Sequence, residues 1–138
     1  DYGTSTVRGN TLPHRDWLHL NDERHRLRRQ WNAFFEDFDV LLCPAAPTAA
    51  FPHKTDPFPQ RTLTVNGKEL PYGDQTFWSA YAGTAYLPAA IAPIGLSAGG
   101  LPIGVQIIGR QYADLTGIHF ARLLERHYRR FTPPPGFD

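Results

Sequence analysis

Two apolar, β-branched segments separated by a Gly/Ser/Pro-rich stretch constrain the fold of this chain most strongly. They cover residues 89–94 and 103–108, and their length and composition predict two sheet strands joined by a short loop. The second segment places Ile103, Val105 and Ile107 on one face, and its other face is also largely apolar. A strand that is apolar on both faces is typical of a sheet covered on both sides.

Two further segments show the 3.6-residue apolar periodicity of helices, from about Asp16 to Asp37 and from about Asp114 to Arg130. The apolar stripes predicted to face the core are Leu20, Leu27, Trp31, Phe34 and Phe35 in the first helix, and Gly117, Phe120, Ala121, Leu124, Tyr128 and Phe131 in the second. The arginines of the first helix fall mostly off its stripe and lie close to acidic residues. This pattern favours a solvated helix face over an RNA contact.

The rest of the chain is predicted to be less regular. Residues 1–14 are polar and rich in Gly and Thr, and we interpret them as a loop or a severed connection. The run from Val40 to Cys43 predicts a short buried strand. Residues 52–75 form an irregular, proline-rich excursion, although an Asn-Gly pair within it suits a type I′ hairpin turn. A short aromatic helix follows, and Asp74 is placed to cap it.

Composition excludes several classes of function. The formal net charge of the 138 residues is +1, which gives no electrostatic reason to expect nucleic acid or an anionic membrane as a partner. No apolar run is long enough for a membrane span. The single cysteine, Cys43, rules out an intrachain disulfide framework and fits a reducing, cytoplasmic compartment. The six histidines show no metal-ligand spacing, so no metal is expected. The chain starts at Asp1 and contains no Met, which predicts a fragment or a processed chain.

The pentapeptide from Gly95 to Gly99 matches G-x-S-x-G, the nucleophile elbow of α/β-hydrolases. That motif requires a helix directly after the serine, whereas the residues after Ser97 are rich in Gly and Pro and continue as a strand. The candidate triad partners Asp114 and His119 fall on one predicted helix and do not share a face. We therefore interpret Ser97 as a turn residue.

Four segments, collinear from about residue 15 onward, resemble the amidase signature family. They are WNAFFEDFDVLLCPAAPTAA (31–50), the Leu-Pro-Ala and Pro-Ile-Gly of 87–95, GLPIGVQIIG (100–109) and YADLTGIHFARLLE (112–125). The resemblance implies an α/β fold with a mixed β-sheet and helices packed on both faces. It also implies hydrolysis of carboxylic amides without a metal or a cofactor.

The catalytic set that the resemblance implies is a Lys, a bridging Ser held by a cis peptide and a nucleophilic Ser, located around a Gly/Ser-rich signature. This chain has no such signature, and its lysines, Lys54 and Lys68, lie in the proline-rich excursion. Residues 1–138 therefore resemble the C-terminal portion of a single amidase domain. We expect the catalytic residues to lie outside the chain and the isolated chain to be inactive, because the proton relay and the oxyanion donors would be missing.

The resemblance also implies that the C-terminal third forms part of the wall of the acyl pocket. The candidate substrate-binding residues are Asp74, Gln75, Phe77, Trp78, Tyr81 and Thr84. The alternative is that the aromatic residues are ordinary core and that Asp74 is a helix cap. Gln106, a polar residue in an apolar strand, is expected to tie that strand to a neighbouring segment rather than to contact substrate.

The sequence therefore predicts part of an amidase that acts on a small-molecule amide. Two alternatives are a protein like the glutamine-using amidotransferase component of tRNA-dependent amidation and a non-catalytic binding protein with an amidase fold. Sheet strands taken from a larger sheet would leave bare edges, which invite pairing with another chain. We therefore expect self-association or a companion N-terminal portion.

Overall fold

A computed structural model describes residues 2–137 of the chain. In chain order its helices and strands are α1 (Tyr2–Asn10), α2 (His14–Asp37), β1 (Val40–Pro44), β2 (Thr62–Val65), β3 (Lys68–Pro71), α3 (Phe77–Ala85), β4 (Ala89–Leu96), β5 (Pro102–Gly109) and α4 (Asp114–His127). Short 3-10 helices at Phe58–Gln60 and Tyr72–Thr76 complete the proline-rich excursion. Within residues 2–137, no helix has the length and apolar composition needed to cross a bilayer.

The predicted strand pair is confirmed as an antiparallel hairpin of β4 and β5. The two strands belong to a three-stranded sheet of order β1-β5-β4, in which β5 is the central strand. Ile91 lies opposite Gln106 in β5, and Cys43 of β1 lies opposite Gln106 on its other side. All three strands run antiparallel to their neighbours. Because residues 105–108 of β5 have a partner strand on each side, the backbone of this buried stretch is paired with both neighbours.

Helix α4 covers one face of the sheet. Val105 and Ile107 of β5 are buried here, and Phe120, Ala121 and Leu124 of α4 pack against them. Gly117 is buried against β4, where a Cβ atom would lie 3.6 Å from Ala90 Cβ, an ordinary contact distance. The alternation predicted for β5 is therefore confirmed on this side.

Helices α2 and α3 cover the opposite face. Ile108 of β5 is completely buried there, together with Phe35 of α2 and Ala85 of α3. Leu27, Trp31 and Phe34 of α2 pack against this cluster. The structure is thus an α/β fold with helices on both faces of the sheet, as predicted.

The interpretation of residues 1–14 as a loop was wrong for most of that segment, because Tyr2–Asn10 forms helix α1. The helix ends where both the backbone N–H and the hydroxyl of Thr11 donate to the carbonyl oxygen of Val7, at 3.0 and 2.8 Å. Its residues from Gly3 onward are exposed. A helix that buries no face has no apolar periodicity, and local spacing therefore carries no signal for it.

Both predicted helical stripes are longer than the buried faces that the structure shows. Leu20 of α2 is 60% exposed, because the N-terminal half of that helix extends past the sheet. Tyr128 and Phe131 are 69% and 66% exposed because both lie beyond the end of α4 at His127, although Phe131 lines a surface pocket with residues 91–93 of β4. Spacing alone predicts a shared helix face, but it does not predict where the covering surface stops.

The Asn-Gly pair of the proline-rich excursion forms the predicted hairpin turn. Asn66 and Gly67 both have positive φ, 52° and 77°, as a type I′ turn requires, and they join β2 to β3. The hydroxyls of Thr62 and Thr64 donate to the carboxylate of Glu69 across the hairpin. These hydrogen bonds hold the pKa of Glu69 below its ordinary value, and nearby Lys54 contributes in the same direction.

Both edges of the three-stranded sheet are open within residues 2–137, since β1 and β4 each pair only with β5. The Gly109 N–H donates to the Pro88 carbonyl, and hydrogen-bonded pairs alternate with non-hydrogen-bonded pairs along an antiparallel ladder. The backbone N–H and C=O groups of Ala89 and Ile91 therefore point away from β5, toward the open edge. Each edge also contains a proline, Pro44 in β1 and Pro93 in β4, which offers no N–H to a neighbouring strand. The open edges are therefore short.

Candidate functional site

Helix α3 divides the predicted substrate-binding residues between its two faces. Trp78, Ala82 and Ala85 pack into the core beneath the helix. Phe77 and Tyr81 lie on the outer face and are 55% and 37% exposed. Residues 77, 81 and 84 are separated by four and three positions, and this spacing puts them on one side of the helix.

The outer face of α3 forms one wall of an apolar groove against α2. The groove has a volume of about 360 Å³, and it is lined by Leu27, Trp31, Phe77, Ala80, Tyr81 and Thr84. The ring centroids of Trp31 and Tyr81 are 6.2 Å apart, and those of Phe77 and Tyr81 are 5.7 Å apart, both in edge-to-face geometry. The polar side chains in this lining, Tyr81 and Thr84, each carry a hydroxyl. The groove can therefore hold an apolar or aromatic group and offer it hydrogen bonds at its rim.

Three of the six predicted residues, Phe77, Tyr81 and Thr84, thus meet in one groove. The prediction missed Leu27 and Trp31, which line the opposite wall. Their spacing places both on the core stripe of α2, and they do pack against the core with part of their surface. Their double role follows from the width of the apolar stripe on α2, which is greater than the sheet alone can cover.

Trp78 does not line the groove, although its ring centroid lies 5.1 Å from that of Phe77 and 5.7 Å from that of Tyr81. Its backbone carbonyl accepts a hydrogen bond of 3.0 Å from Gln106 Nε2, and the same nitrogen lies 3.1 Å from Cys43 Sγ. Gln106 is 4% exposed. It therefore ties β5 to β1 and to helix α3, in agreement with the structural role predicted for it.

Asp74 and Gln75 lie in the 3-10 helix that precedes α3. The Gln75 side chain accepts a hydrogen bond of 3.0 Å from the Thr48 hydroxyl and so connects this turn to the segment after β1. The prediction that Asp74 caps the aromatic helix was wrong. Helix α3 begins at Phe77, and no side chain caps it. The 3-10 helix runs directly into α3, with the Phe77 N–H donating to the Asp74 carbonyl, so that no separate cap is formed.

Ser97 belongs to the turn between β4 and β5. Its N–H donates to Leu101 O at 2.8 Å, and its hydroxyl oxygen accepts from the Leu101 N–H at 3.2 Å. Gly100 completes the turn with a φ of 77°. No helix follows the serine until α4, so the nucleophile elbow is absent from this segment. The described part of the chain also contains no group of three His, Cys, Asp or Glu side chains that could hold a metal ion.

A three-stranded sheet with β5 at its centre, helices on both faces and an apolar groove between two of the helices define an α/β protein with a candidate binding groove. The family model described as Amidase matches residues 4–116. This chain therefore belongs to the amidase family.

Curated relatives include a Glutamyl-tRNA(Gln) amidotransferase subunit from Wolinella succinogenes, 33% identical over 110 residues, which cover 80% of this chain. The protein of the same name from Rhodospirillum rubrum is 31% identical over 121 residues, or 88% of this chain. In both comparisons the matched region is 22% of the relative. The chain thus spans about a fifth of the length of these relatives.

Two solved structures have the same fold over most of the chain. The corresponding Glutamyl-tRNA(Gln) amidotransferase subunit from Thermotoga maritima superimposes with a TM-score of 0.72 and 26% identity, covering 99% of this chain and 28% of that one. The other structure is described by the words "An unexpected vestigial protein complex reveals the evolutionary origins of an s-triazine catabolic enzyme". It gives a TM-score of 0.74 and 25% identity, covering 92% of this chain and 27% of that one.

Proposed function

We propose that this chain is the C-terminal portion of an amidase that hydrolyses a carboxylic amide to an acid and ammonia or an amine. The match of the amidase family model to residues 4–116 carries this proposal. The Ser-cisSer-Lys set that the family resemblance implies would lie in a preceding part of the domain. In this scheme the 138 residues contribute binding surface, and catalysis requires the rest of the domain.

The contribution that we assign to the chain is a wall of the acyl pocket, formed by Phe77, Tyr81 and Thr84. The apolar lining of the groove supports this assignment, because aromatic rings provide a large contact area for an apolar acyl group. Asp74, Gln75 and Trp78, the other proposed substrate-binding residues, do not line this groove. Trp78 packs into the core, and Gln75 is hydrogen-bonded to Thr48.

A second candidate function is that of a glutamine amidotransferase component, which would release ammonia from glutamine and pass it to a partner enzyme. The relatives named as Glutamyl-tRNA(Gln) amidotransferase subunits, 33% and 31% identical, favour it. The apolar lining of the groove favours the first candidate, because a glutamine side chain would need more polar partners there. A non-catalytic binding protein with this fold is the third alternative.

A chimera distinguishes these functions. In the chimera, residues 15–125 of this chain replace the matching segment of the Wolinella succinogenes relative, and the rest of the chimera is the relative's own sequence. We expect the chimera to hydrolyse amides with apolar acyl groups, such as phenylacetamide, faster than glutamine, whereas the isolated 138-residue chain releases no ammonia from either. Ammonia release measures both reactions.

The groove assignment has its own control within the chimera. Phe77→Ala should lower kcat/KM for phenylacetamide by about tenfold, which corresponds to the loss of roughly 1–2 kcal/mol of apolar contact. Ile103→Ala, an exposed apolar truncation outside the groove, should change it less than about twofold. A preference for glutamine would support the amidotransferase function instead. Amide turnover by the isolated chain that is lost in Ser97→Ala would overturn the whole proposal.

The open sheet edges support a further part of the proposal, which is that the chain self-associates or pairs with a companion portion of its domain. At rising protein concentration, sedimentation velocity should show oligomers. Ile91→Lys, which puts a charge on the 58%-exposed edge residue of β4, should reduce them. A monodisperse monomer of the unaltered chain would contradict self-association.

The remaining parts of the proposal concern the substrate, the location and the partners. The substrate is a small-molecule amide, the location is cytoplasmic, and neither a nucleic acid nor a membrane is a partner.

A further inference from the structure

The N-terminal half of α2 has an exposed face that the proposed acyl pocket does not use. Trp17, Leu20, Arg24 and Arg28 recur at spacings of three and four residues, so that they form one stripe of the helix. Trp17 and Leu20 are 46% and 60% exposed. The stripe runs for three turns, about 17 Å along the helix axis, and it ends beside Leu27, the first residue of the groove.

Two arginines on this stripe are held by a tyrosine from a different element. The guanidinium carbon of Arg24 lies 4.7 Å from the centre of the Tyr86 ring, and that of Arg28 lies 5.8 Å from it. Arg24 also donates a hydrogen bond to the Tyr86 hydroxyl. The hydrogen bond and the shorter cation–π contact hold the Arg24 guanidinium, and the longer cation–π contact restrains that of Arg28, so that less side-chain entropy would be lost if they bound an anion.

Among residues 2–137, neither arginine has a carboxylate partner, because the ion pairs there join Arg15 to Asp16 and Arg26 to Glu23. Two like charges one turn apart on a helix destabilise it by a few tenths of a kcal/mol. A pair of carboxylates from outside would remove this repulsion and would make charge-assisted hydrogen bonds.

We propose that Trp17, Leu20, Arg24, Arg28 and Tyr86 form a docking surface for an acidic, amphipathic helical segment of another polypeptide. Apolar side chains of that segment would cover Trp17 and Leu20, and its carboxylates would pair with the two arginines. Charge complementarity selects this occupant over a nucleic acid. The formal net charge of the chain, +1, gives no electrostatic reason to expect a nucleic acid there, whereas Trp17 and Leu20 offer apolar contacts to a polypeptide.

Binding of a designed peptide to the full 138-residue chain tests the proposal. The peptide is about 15 residues long, and it has leucines at the helix-in-groove spacing i, i+3, i+4, i+7 and two glutamates one turn apart. We expect fluorescence anisotropy of the labelled peptide to show binding that weakens with added salt. A peptide with lysine in place of each glutamate should bind at least about tenfold more weakly.

Matched variants locate the contact. Arg24→Gln/Arg28→Gln should weaken peptide binding about tenfold or more, because two charge pairs are lost. Arg26→Gln/Arg29→Gln removes the same charge from the opposite side of α2 and should change binding less than about twofold. Leu20→Glu changes an exposed residue and leaves both arginines in place. It should also weaken peptide binding, because it removes an apolar contact and adds a negative charge. Circular dichroism checks that each variant retains its helices.

Other occupants give different results, and each of them would overturn the proposal. Equal loss of peptide binding in Arg24→Gln/Arg28→Gln and in Arg26→Gln/Arg29→Gln would show that the positive charge of α2 acts non-specifically. Tighter binding of single-stranded poly(U) than of the acidic peptide would identify a nucleic-acid surface. Oligomers of the chain that disappear in Arg24→Gln/Arg28→Gln would identify a second copy of the chain as the occupant.

Discussion

Replacing Ile108 by alanine is expected to lower the free energy of unfolding by about 3 kcal/mol. Ile108 is completely buried in β5, opposite Leu41 of β1 and Ala89 of β4. Its side chain fills the space between the sheet and helices α2 and α3, where Phe35 and Ala85 are also buried. Truncation removes three carbons from a site that has a neighbour on every side, so that much of the space would remain as a cavity.

Urea unfolding at one fixed protein concentration measures this effect, since self-association would make the stability depend on concentration. Ile103→Ala is the matched control. It makes the same change in the same strand at a residue that is 38% exposed, and it should cost less than about 1 kcal/mol. Equal losses in the two variants would show that the sheet face under α2 and α3 is not a close-packed core.

The contrast between these two isoleucines also shows what the sequence could predict. The period-two pattern of β5 indicated correctly that both of its faces are apolar and that Val105 and Ile107 share one of them. Periodicity gives this information because it records burial, and burial selects apolar side chains at the spacing of the element. The same reasoning located α2 and α4, whose stripes pack on opposite faces of the sheet.

Where burial is absent, local spacing carries no information. Helix α1 is exposed from Gly3 onward and consequently has no stripe. The N-terminal half of α2 shows the reverse case, in which an apolar stripe is present but is not buried. Leu20 continues the stripe of α2 and is 60% exposed. A stripe therefore predicts a face that can be buried, and the surface that buries it can belong to another polypeptide.

The candidate site was predicted in part for a related reason. Helix α3 is apolar almost all the way round, and its sequence does not indicate which face meets the core. The neighbouring elements decide this. Gln106 bonds to the backbone of Trp78 from below, while Trp31 of α2 packs at the edge of Tyr81 on the outer side. Both contacts join residues far apart in the chain, and such contacts are not encoded in local spacing.

Gln106→Glu is expected to make the stability of the chain strongly dependent on pH. The residue is 4% exposed, and its amide nitrogen donates to the Trp78 carbonyl. A carboxylate in its place would face that carbonyl without a hydrogen to donate, so that burial and repulsion would raise its pKa above the ordinary glutamate value of about 4.3. At neutral pH we expect a loss of about 3–5 kcal/mol in the free energy of unfolding.

The sign of the pH dependence follows from proton linkage. Between the unfolded pKa and the raised folded pKa, the folded state binds more protons than the unfolded state, and stability therefore falls as the pH rises, by up to about 1.4 kcal/mol per unit. Below about pH 4 both states are protonated, and the neutral carboxyl can donate its hydrogen to the Trp78 carbonyl.

Gln106→Leu is the matched control for the glutamate variant. It loses the hydrogen bonds to Trp78 and Cys43 without introducing a charge, and it should cost about 1–2 kcal/mol at every pH. Urea unfolding of both variants at pH values from about 4 to 8, relative to the unaltered chain, separates the two effects. If the stability difference between Gln106→Glu and Gln106→Leu stayed constant over this range, the carboxylate would be reaching water. The contact region of Gln106 with β1 and α3 would then be accessible to solvent rather than closely packed.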